Sequence, residues 1–462
     1  LARDEIRTPF DLATGPLLRA RLFRLAEQEH IAVLTIHHIA TDGWSMGLLV
    51  AELAALYAAF SHSEHGMAAA PLRSLPLQYG DYAAWQRSTL QGAALDRQLA
   101  YWKEQLAGLP LRLELPTDRP RPAVQTANGG TFLFRLPEEL SRAIVRFNQQ
   151  HGVTMFMTLL AAYQALLSRY SGQSDIAVGS AIANRTRAEL EPLIGFFVNT
   201  LVFRTRFDPP AENQPLTFRE LVRRVRETAL GAYAHQDVPF EALVDALQPE
   251  RDLSHTPLFQ AAFSLQNVPF ETRELPGLRI SPVEIDKGIA GFDMLLMMTE
   301  TQAGITAAWE YNSDLFDRQT IERMAGHLRT LLAAAIAAPE QPVAVLPLLS
   351  EAERRMMLET WNDTAVPFPD DTTIHALIEA QVAAQPDAVA VEFIGDLAAY
   401  QRGEAAAALT YRQLNERANQ LAHYLRNLGV GPGTLAGISV ERSLDMIVGI
   451  LEERGMALGI DL

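Results

Sequence analysis

The sequence predicts an α/β protein built as more than one compact unit. Three observations carry this. Strand-like and helix-like runs alternate between residues 131 and 345, the pattern of helices packed on a sheet. Proline-rich breaks interrupt the chain at 116–122, 339–342 and 367–371. The length, 462 residues, is ample for three units of about 150 residues each. Apolar residues make up 48% and charged residues 20%, a globular balance and not a disordered one.

Taken in order, residues 1–60 read as loop, strand, loop and helix. The run 31–36, Ile-Ala-Val-Leu-Thr-Ile, is short and β-rich. Over 46–60, Leu48, Leu49, Leu53, Leu56 and Phe60 fall on or near one helical face. Residues 61–76 form a loop, and a single helix is expected over 78–106, stopped by Gly108 and Pro110. The three prolines in 116–122 cannot continue a helix and mark a crossover between two lobes. Strands are expected at 131–136 and 175–180, and helices at 154–168, 217–234 and 321–338. A new unit starts near Thr372, with helices at 373–384 and 410–428, a low-complexity insertion at 395–408 and a glycine-rich turn at 429–433. The expected organisation is therefore 1–120 and 121–345 as two lobes, 346–371 as linker and 372–462 as a partial α/β subdomain.

Composition excludes several chemistries. Thirty-nine Lys and Arg against 55 Asp and Glu leave a net charge of −16, which repels nucleic acid phosphates and anionic lipid. No nucleic acid or membrane partner is expected. Cys is absent, so disulfides, Cys nucleophiles and thiolate metal sites are absent with it. Lys103 and Lys287 are the only lysines, and neither lies in a phosphate-binding GxxxxGK[ST] loop. The longest apolar stretch, 155–167, is too short to span a bilayer. The start, Leu1-Ala-Arg-Asp-Glu5, lacks a signal sequence, so a cytoplasmic protein is expected, and one that begins at Leu reads as a fragment.

The main chemical signal is His37 and His38, with Asp42 and Gly43 following, where a strand leaves its sheet. A histidine near neutral pH can accept a proton from an attacking amine or hydroxyl. Asp42, four residues on, can orient a ring or bridge to an arginine, and Gly43 permits close backbone approach or positive φ. Two neighbouring histidines at a strand end are also a plain polar boundary, and the Asp-Gly-Trp-Ser continuation through Trp44 and Ser45 counts against that alternative. A metal reading fares worse, because successive strand residues face opposite ways and no HExxH is present. Other polar clusters sit at 184–187, around Asn199 in the apolar run 194–200, and at 235–241, where His235 and Asp237 read as an acid–base pair or as a helix-ending turn. No GxSxG nucleophile elbow occurs.

Five segments, in order, resemble the condensation domain of nonribosomal peptide synthetases. The run from His37 to Ser45 resembles the HHxxxDG motif, and 79–85, Tyr-Gly-Asp-Tyr-Ala-Ala-Trp, resembles YxDYAVW. Residues 194–200 with Arg204 resemble IGxFVNTxxxR, 235–241 resemble HQDxPFE, and 251–260 resemble RDxSxxPLFQ. The resemblance covers about residues 1–350. Residues 409–414, Leu-Thr-Tyr-Arg-Gln-Leu, resemble the LTYxEL motif that opens an adenylation domain. Residues 451–461 align in spacing with LKAGGAYVPLD, but only Leu451, Gly455 and Asp461 match outright. Later adenylation motifs are absent, so this part is not expected to activate amino acids. The family's first two motifs are expected before Leu1, and no carrier-domain serine motif occurs.

The resemblance implies a two-lobe fold like chloramphenicol acetyltransferase, with a tunnel between the lobes, plus a partial α/β adenylation subdomain. It implies that a carrier-bound acceptor amine attacks a carrier-bound donor thioester. No cofactor is then bound covalently; the 4'-phosphopantetheine arms belong to donor and acceptor carrier domains, and an adenylation domain lies in cis. Carried over by position, His38 is the central residue, as general base or as the group that positions the amine. Asp42 is expected to pair with Arg185 and hold the loop, Gly43 to offer its N–H to the oxyanion, and His37 to support the loop from the opposite face. Asn199 and His235 are expected as tunnel or lobe-contact residues, and Trp44 argues against the epimerisation subtype. Two alternatives stand beside this: a truncated inactive remnant or interaction piece, and a coenzyme A-dependent acyltransferase of the HxxxD kind.

Overall fold

The structure is a computed structural model, and it describes residues 2–61, 72–211, 214–249, 252–266, 273–275, 277–281, 283, 287–301, 304–367, 371–395, 400–401, 406–431, 434 and 436–451. The chain forms two compact units, Leu1–Thr360 and Trp361–Leu462.

The first unit opens with α1 (Ala2–Arg7) and an antiparallel hairpin of β1 (Leu18–Arg24) and β2 (His30–Ile36), with Leu18 opposite Ile36 and Arg24 opposite His30. Only the second of these strands is expected from the sequence. The first nonetheless alternates Leu18, Ala20 and Leu22 with Arg19 and Arg21, the two-residue period of a strand. Helix α2 (Gly43–Ser61) starts three residues before its apolar pattern does. The Asp42 carboxylate explains the early start: its Oδ1 accepts the Ser45 amide at 2.8 Å, an N-cap bond that satisfies an otherwise orphaned donor. Only Ser45 and Ala54 of α2 are buried. By length and composition α2 is apolar enough to cross a membrane, whereas the sequence pattern draws attention to 155–167 as the longest such stretch.

The expected helix over 78–106 is two helices, α3 (Tyr79–Thr89) and α4 (Gly92–Gln105). Leu90 leaves helical geometry at φ −91° and ψ 67°, and Gly92 restarts the chain with φ +52°.

The core lies beyond the crossover. Its elements are β3 (Gly129–Arg135), α5 (Glu138–His151), α6 (Met155–Ser171), β4 (Asp175–Ile182), β5 (Asn199–Arg206), α7 (Phe218–Ala234), α8 (Phe240–Leu247), β6 (Ala261–Gln266), β7 (Arg273–Leu275), β8 (Leu278–Ile280), β9 (Met294–Thr301), β10 (Gly304–Asn312), α9 (Arg318–Ala337) and α10 (Glu351–Leu358). Six strands form one mixed sheet in the order β3-β10-β9-β6-β4-β5. β6 runs parallel to β9 and β4, and the other pairs are antiparallel. The apolar run 155–167 proves to be interior: every residue from Met157 to Leu167 of α6 is buried. A helix apolar on all sides is a buried helix. Thr158 and Gln164 are the polar exceptions: Thr158 Oγ1 donates to Asn148 Oδ1 at 2.6 Å, and Gln164 Nε2 donates to the Phe203 carbonyl at 2.8 Å, tying the helix to β5.

The second unit holds α11 (Ile374–Ala384), the antiparallel pair β11 (Val389–Phe393) and β12 (Ala407–Thr410), and helices Tyr411–Asn427 and Leu444–Leu451. Leu409, Leu414 and Val448 form its small core. Most of the expected insertion at 395–408, and residues 452–461 of the tail motif, lie outside the described residues.

Candidate active site

The 3-10 turn His38–Ala40 joins β2 to α2, with His37 as its N-cap. His37 Nδ1 accepts the Ile39 amide at 3.1 Å, and its ring meets Phe10 edge-on with centroids 5.6 Å apart. Phe10 in turn lies 3.9 Å beneath the Arg19 guanidinium, and Arg19 binds buried Glu5 at 2.6 Å. His37 is thus a piece of the loop's scaffolding.

His38 faces the other way and is exposed. Its Nδ1 lies 2.7 Å from the Thr41 carbonyl oxygen. A carbonyl can only accept, so Nδ1 carries the proton and the neutral ring leaves Nε2 with a free lone pair. The ring packs edge-on against Phe196, centroids 5.2 Å apart and planes at 84°.

Asp42 points inward. Its side chain is 3% exposed and that of Arg185 2%, with Nη2 to Oδ1 at 3.3 Å. The carboxylate also accepts the Ser45 amide at 2.8 Å and the Phe197 amide at 3.0 Å. Arg185 donates to Ser45 Oγ at 2.9 Å and to the Leu193 carbonyl at 2.8 Å, also binds the Leu190 carbonyl, and lies 4.1 Å over the Phe197 ring. Burial pulls the Arg185 guanidinium below its ordinary value, against the opposing pull of Asp42. Ser45 Oγ closes the network by donating to the Gly195 carbonyl at 3.0 Å and accepting the Gly195 amide at 3.1 Å. Two segments far apart in the chain are therefore locked around one buried ion pair.

Gly43 sits exposed in the first turn of α2, where helix geometry leaves N–H groups outside the ladder. Its φ is not positive, and a Cβ there would meet nothing within 4 Å, so neither expected reason for glycine holds inside the protein itself. Glycine here leaves open space at a helix N-terminus. Gly195 is the opposite case: a Cβ would lie 2.3 Å from the Tyr79 ring, so close packing requires glycine. Trp44 is half exposed and donates from Nε1 to the Glu191 carbonyl at 3.0 Å.

Two expected residues find partners away from His38. Asn199 donates from Nδ2 to the Gln236 and Val238 carbonyls at 2.8 and 2.7 Å, and its Oδ1 accepts the Phe240 amide at 3.1 Å, fastening β5 to the start of α8. His235 ends α7, with Nδ1 2.8 Å from the Gly231 carbonyl and its ring stacked on Tyr101 at 4.0 Å. Asp237 accepts from Gln98 Nε2 at 2.6 Å, and among the described contacts none joins His235 to Asp237. Sequence reasoning missed Thr41, Ser45, Phe196 and Phe197 as site residues; the residue letters of HHxxxDGWS and IGxFVNT held them without showing that the two motifs meet.

Residues 1–358 match the family model for the condensation domain. The chain belongs to the condensation-domain family. Residues 378–451 of the second unit match the AMP-binding enzyme family. Among curated relatives, the chain is 49% identical over all of its length to one of the linear gramicidin synthase proteins of Brevibacillus parabrevis, and 46% identical over 96% to a chondramide synthase of Chondromyces crocatus. It spans 6% and 11% of those two synthetases. Among solved structures, a four-domain nonribosomal peptide synthetase bound to AMP and glycine shares 25% identity over 98% of this chain and 34% of its own, with TM-score 0.80. The X-domain from teicoplanin biosynthesis shares 30% identity over 75% of this chain and 78% of its own, with TM-score 0.67. The mixed α/β architecture is thus that of condensation domains, followed in this chain by a segment that matches the AMP-binding enzyme family.

Proposed function

We propose that this condensation domain forms an amide between a carrier-bound donor acyl or peptidyl thioester and a carrier-bound aminoacyl acceptor, in nonribosomal peptide synthesis. One observation carries the reading: the Nδ1–H bond to Thr41 leaves an exposed His38 with its Nε2 lone pair outward. In the proposed step the acceptor amine attacks the donor carbonyl carbon. The C–N bond forms, the C–S bond breaks and the donor thiol leaves. The proton shed by the amine passes through His38 Nε2 to the departing sulfur, so no group on the enzyme is consumed. The open N-terminal turn of α2 at Gly43 offers a backbone N–H to the oxygen on which charge develops. Holding two tethered reactants together supplies much of the acceleration, which is why the scaffold behind His38 matters.

The partners are donor and acceptor carrier domains, whose phosphopantetheine arms are substrates and not resident cofactors, and an adenylation domain in cis begun by residues 378–451. The test is intact mass spectrometry of a panel of aminoacyl-loaded carriers mixed with this chain, alone and joined in one polypeptide to a donor carrier domain. Dipeptide on the acceptor carrier supports the reading. Its absence from both forms, with both folded, turns the assignment to an inactive remnant. Transfer to free amines from coenzyme A thioesters but not from carriers turns it to an HxxxD acyltransferase.

A further inference from the structure

The peptide unit joining Phe196 to Phe197 is pinned at both edges. Its carbonyl oxygen accepts the Tyr79 hydroxyl at 2.9 Å, and its N–H donates to Asp42 Oδ2 at 3.0 Å. Tyr79 is itself wedged between Phe197, 5.2 Å away and edge-on, and Gly195, which has no room for a Cβ on that side. Hydrogen bonds at both edges resist rotation of this peptide plane and so hold the Phe196 Cα, from which the ring projects, in place. That ring meets His38 edge-on, while Thr41 holds the imidazole from its Nδ1 side. The two contacts come from different parts of the chain and hold the imidazole from two sides.

We infer that Phe196 is the positioning residue for His38, and that Tyr79 and Asp42 act on the imidazole through the clamped 196–197 peptide. The inference deepens the proposed function and rests on it for the rate effect alone. Asp42 then reaches the reacting centre without touching substrate, by a route through the opposite segment and not along its own loop.

The test uses the full chain labelled with 15N-histidine, the His38 signals assigned with His38→Gln, and amide formation measured with alanyl donor and glycyl acceptor carriers. In the neutral unaltered protein His38 should show a protonated Nδ1 and a bare Nε2. Phe196→Ala should average the two tautomers and lower the rate at saturating acceptor by about tenfold or more, with the acceptor KM little changed, since small misplacement of a reacting group costs rate and not binding. Phe196→Tyr keeps the ring and should restore both readouts. Tyr79→Phe removes one hydroxyl and should produce a weaker version of the same loss. A reduced rate with unchanged His38 signals overturns the inference, because Phe196 then acts on substrate directly. Altered signals with an unchanged rate overturn it as well. If the unaltered chain forms no amide, the proposed function fails on that arm, and the His38 signals of Phe196→Ala decide the positioning role alone.

Discussion

Asp42 and Arg185, 143 positions apart, meet at 3.3 Å with side chains 3% and 2% exposed. Few of their hydrogen bonds go to each other; most go to the backbone of residues 190–197 and to Ser45. An ion pair this deep is a poor source of net stability, because desolvating both charges costs about what their attraction returns. Removing one partner is different. Asp42→Ala strands a buried guanidinium and frees the Phe197 amide, at a cost of about 3–5 kcal/mol. The urea midpoint of the first unit should fall accordingly, and the double change Asp42→Ala with Arg185→Met should cost less than the two single changes summed. An unchanged midpoint with lost activity would show instead that Asp42 serves the reacting centre and adds nothing to the fold.

His38 should behave in the opposite way. It is exposed, and the one described hydrogen bond of its side chain goes to Thr41. His38→Ala should leave the unfolding midpoint within about 0.5 kcal/mol of the unaltered chain, as surface changes do. Amide formation should fall by a factor on the order of 100 or more, the usual worth of a positioned acid–base group. Normal turnover by this variant would sink the proposed mechanism.

How legible was this in the sequence? The spacing of His38, Asp42 and Gly43 announced a loop leaving a strand, and the carboxylate could be read as orienting a ring or bridging to an arginine; Arg185 itself came through the family resemblance and not through the spacing. Ser45, Phe197 and Tyr79 were not findable by pattern. They act by bonding backbone groups of a distant segment or by donating one, and a backbone bond leaves no mark on its partner's identity. The fold shows the same division. The helix over 154–168 was plain because its apolar surface is continuous, while β1 was missed because its Arg-rich face looks like a loop. Leu90 and Gln91, which break the helix expected over 78–106, carry no glycine or proline; only Gly92 beyond them hints at it.

Asn199 separates a scaffold role from a substrate role. Its amide satisfies two carbonyls and one N–H at the start of α8. Asn199→Ala should leave the buried Val238 carbonyl and the Phe240 amide unpaired and destabilise the unit by about 1–3 kcal/mol. The acceptor KM should stay where it was. A raised KM with an unmoved unfolding midpoint would place Asn199 against substrate after all.

The last helix of the first unit carries a pH-dependent fastening. Glu353 caps α10 by accepting the Ser350 amide and hydroxyl at 2.8 and 2.7 Å, and lies 3.2 Å from Nε2 of buried His327, whose Nδ1 meets the Tyr170 hydroxyl at 2.6 Å. Burial alone raises the Glu353 carboxyl, but the Ser350 bonds and His327 outweigh it and hold it below 4.5. A carboxylate depressed in the folded state stabilises above its unfolded value and loses that contribution as pH falls through the folded one. Replacing Glu353 by Gln keeps a capping acceptor and removes the charge, so it should cost about 0.3–1 kcal/mol at neutral pH, the worth of a negative charge in a helix's first turn. The unaltered chain and the variant should converge as the solution is acidified below 4.5, the carboxyl's ordinary value. Melting curves of both proteins across that range read the difference directly. A gap between them that persists in acid would mean that the neutral carboxyl, and not its charge, holds α10 in place.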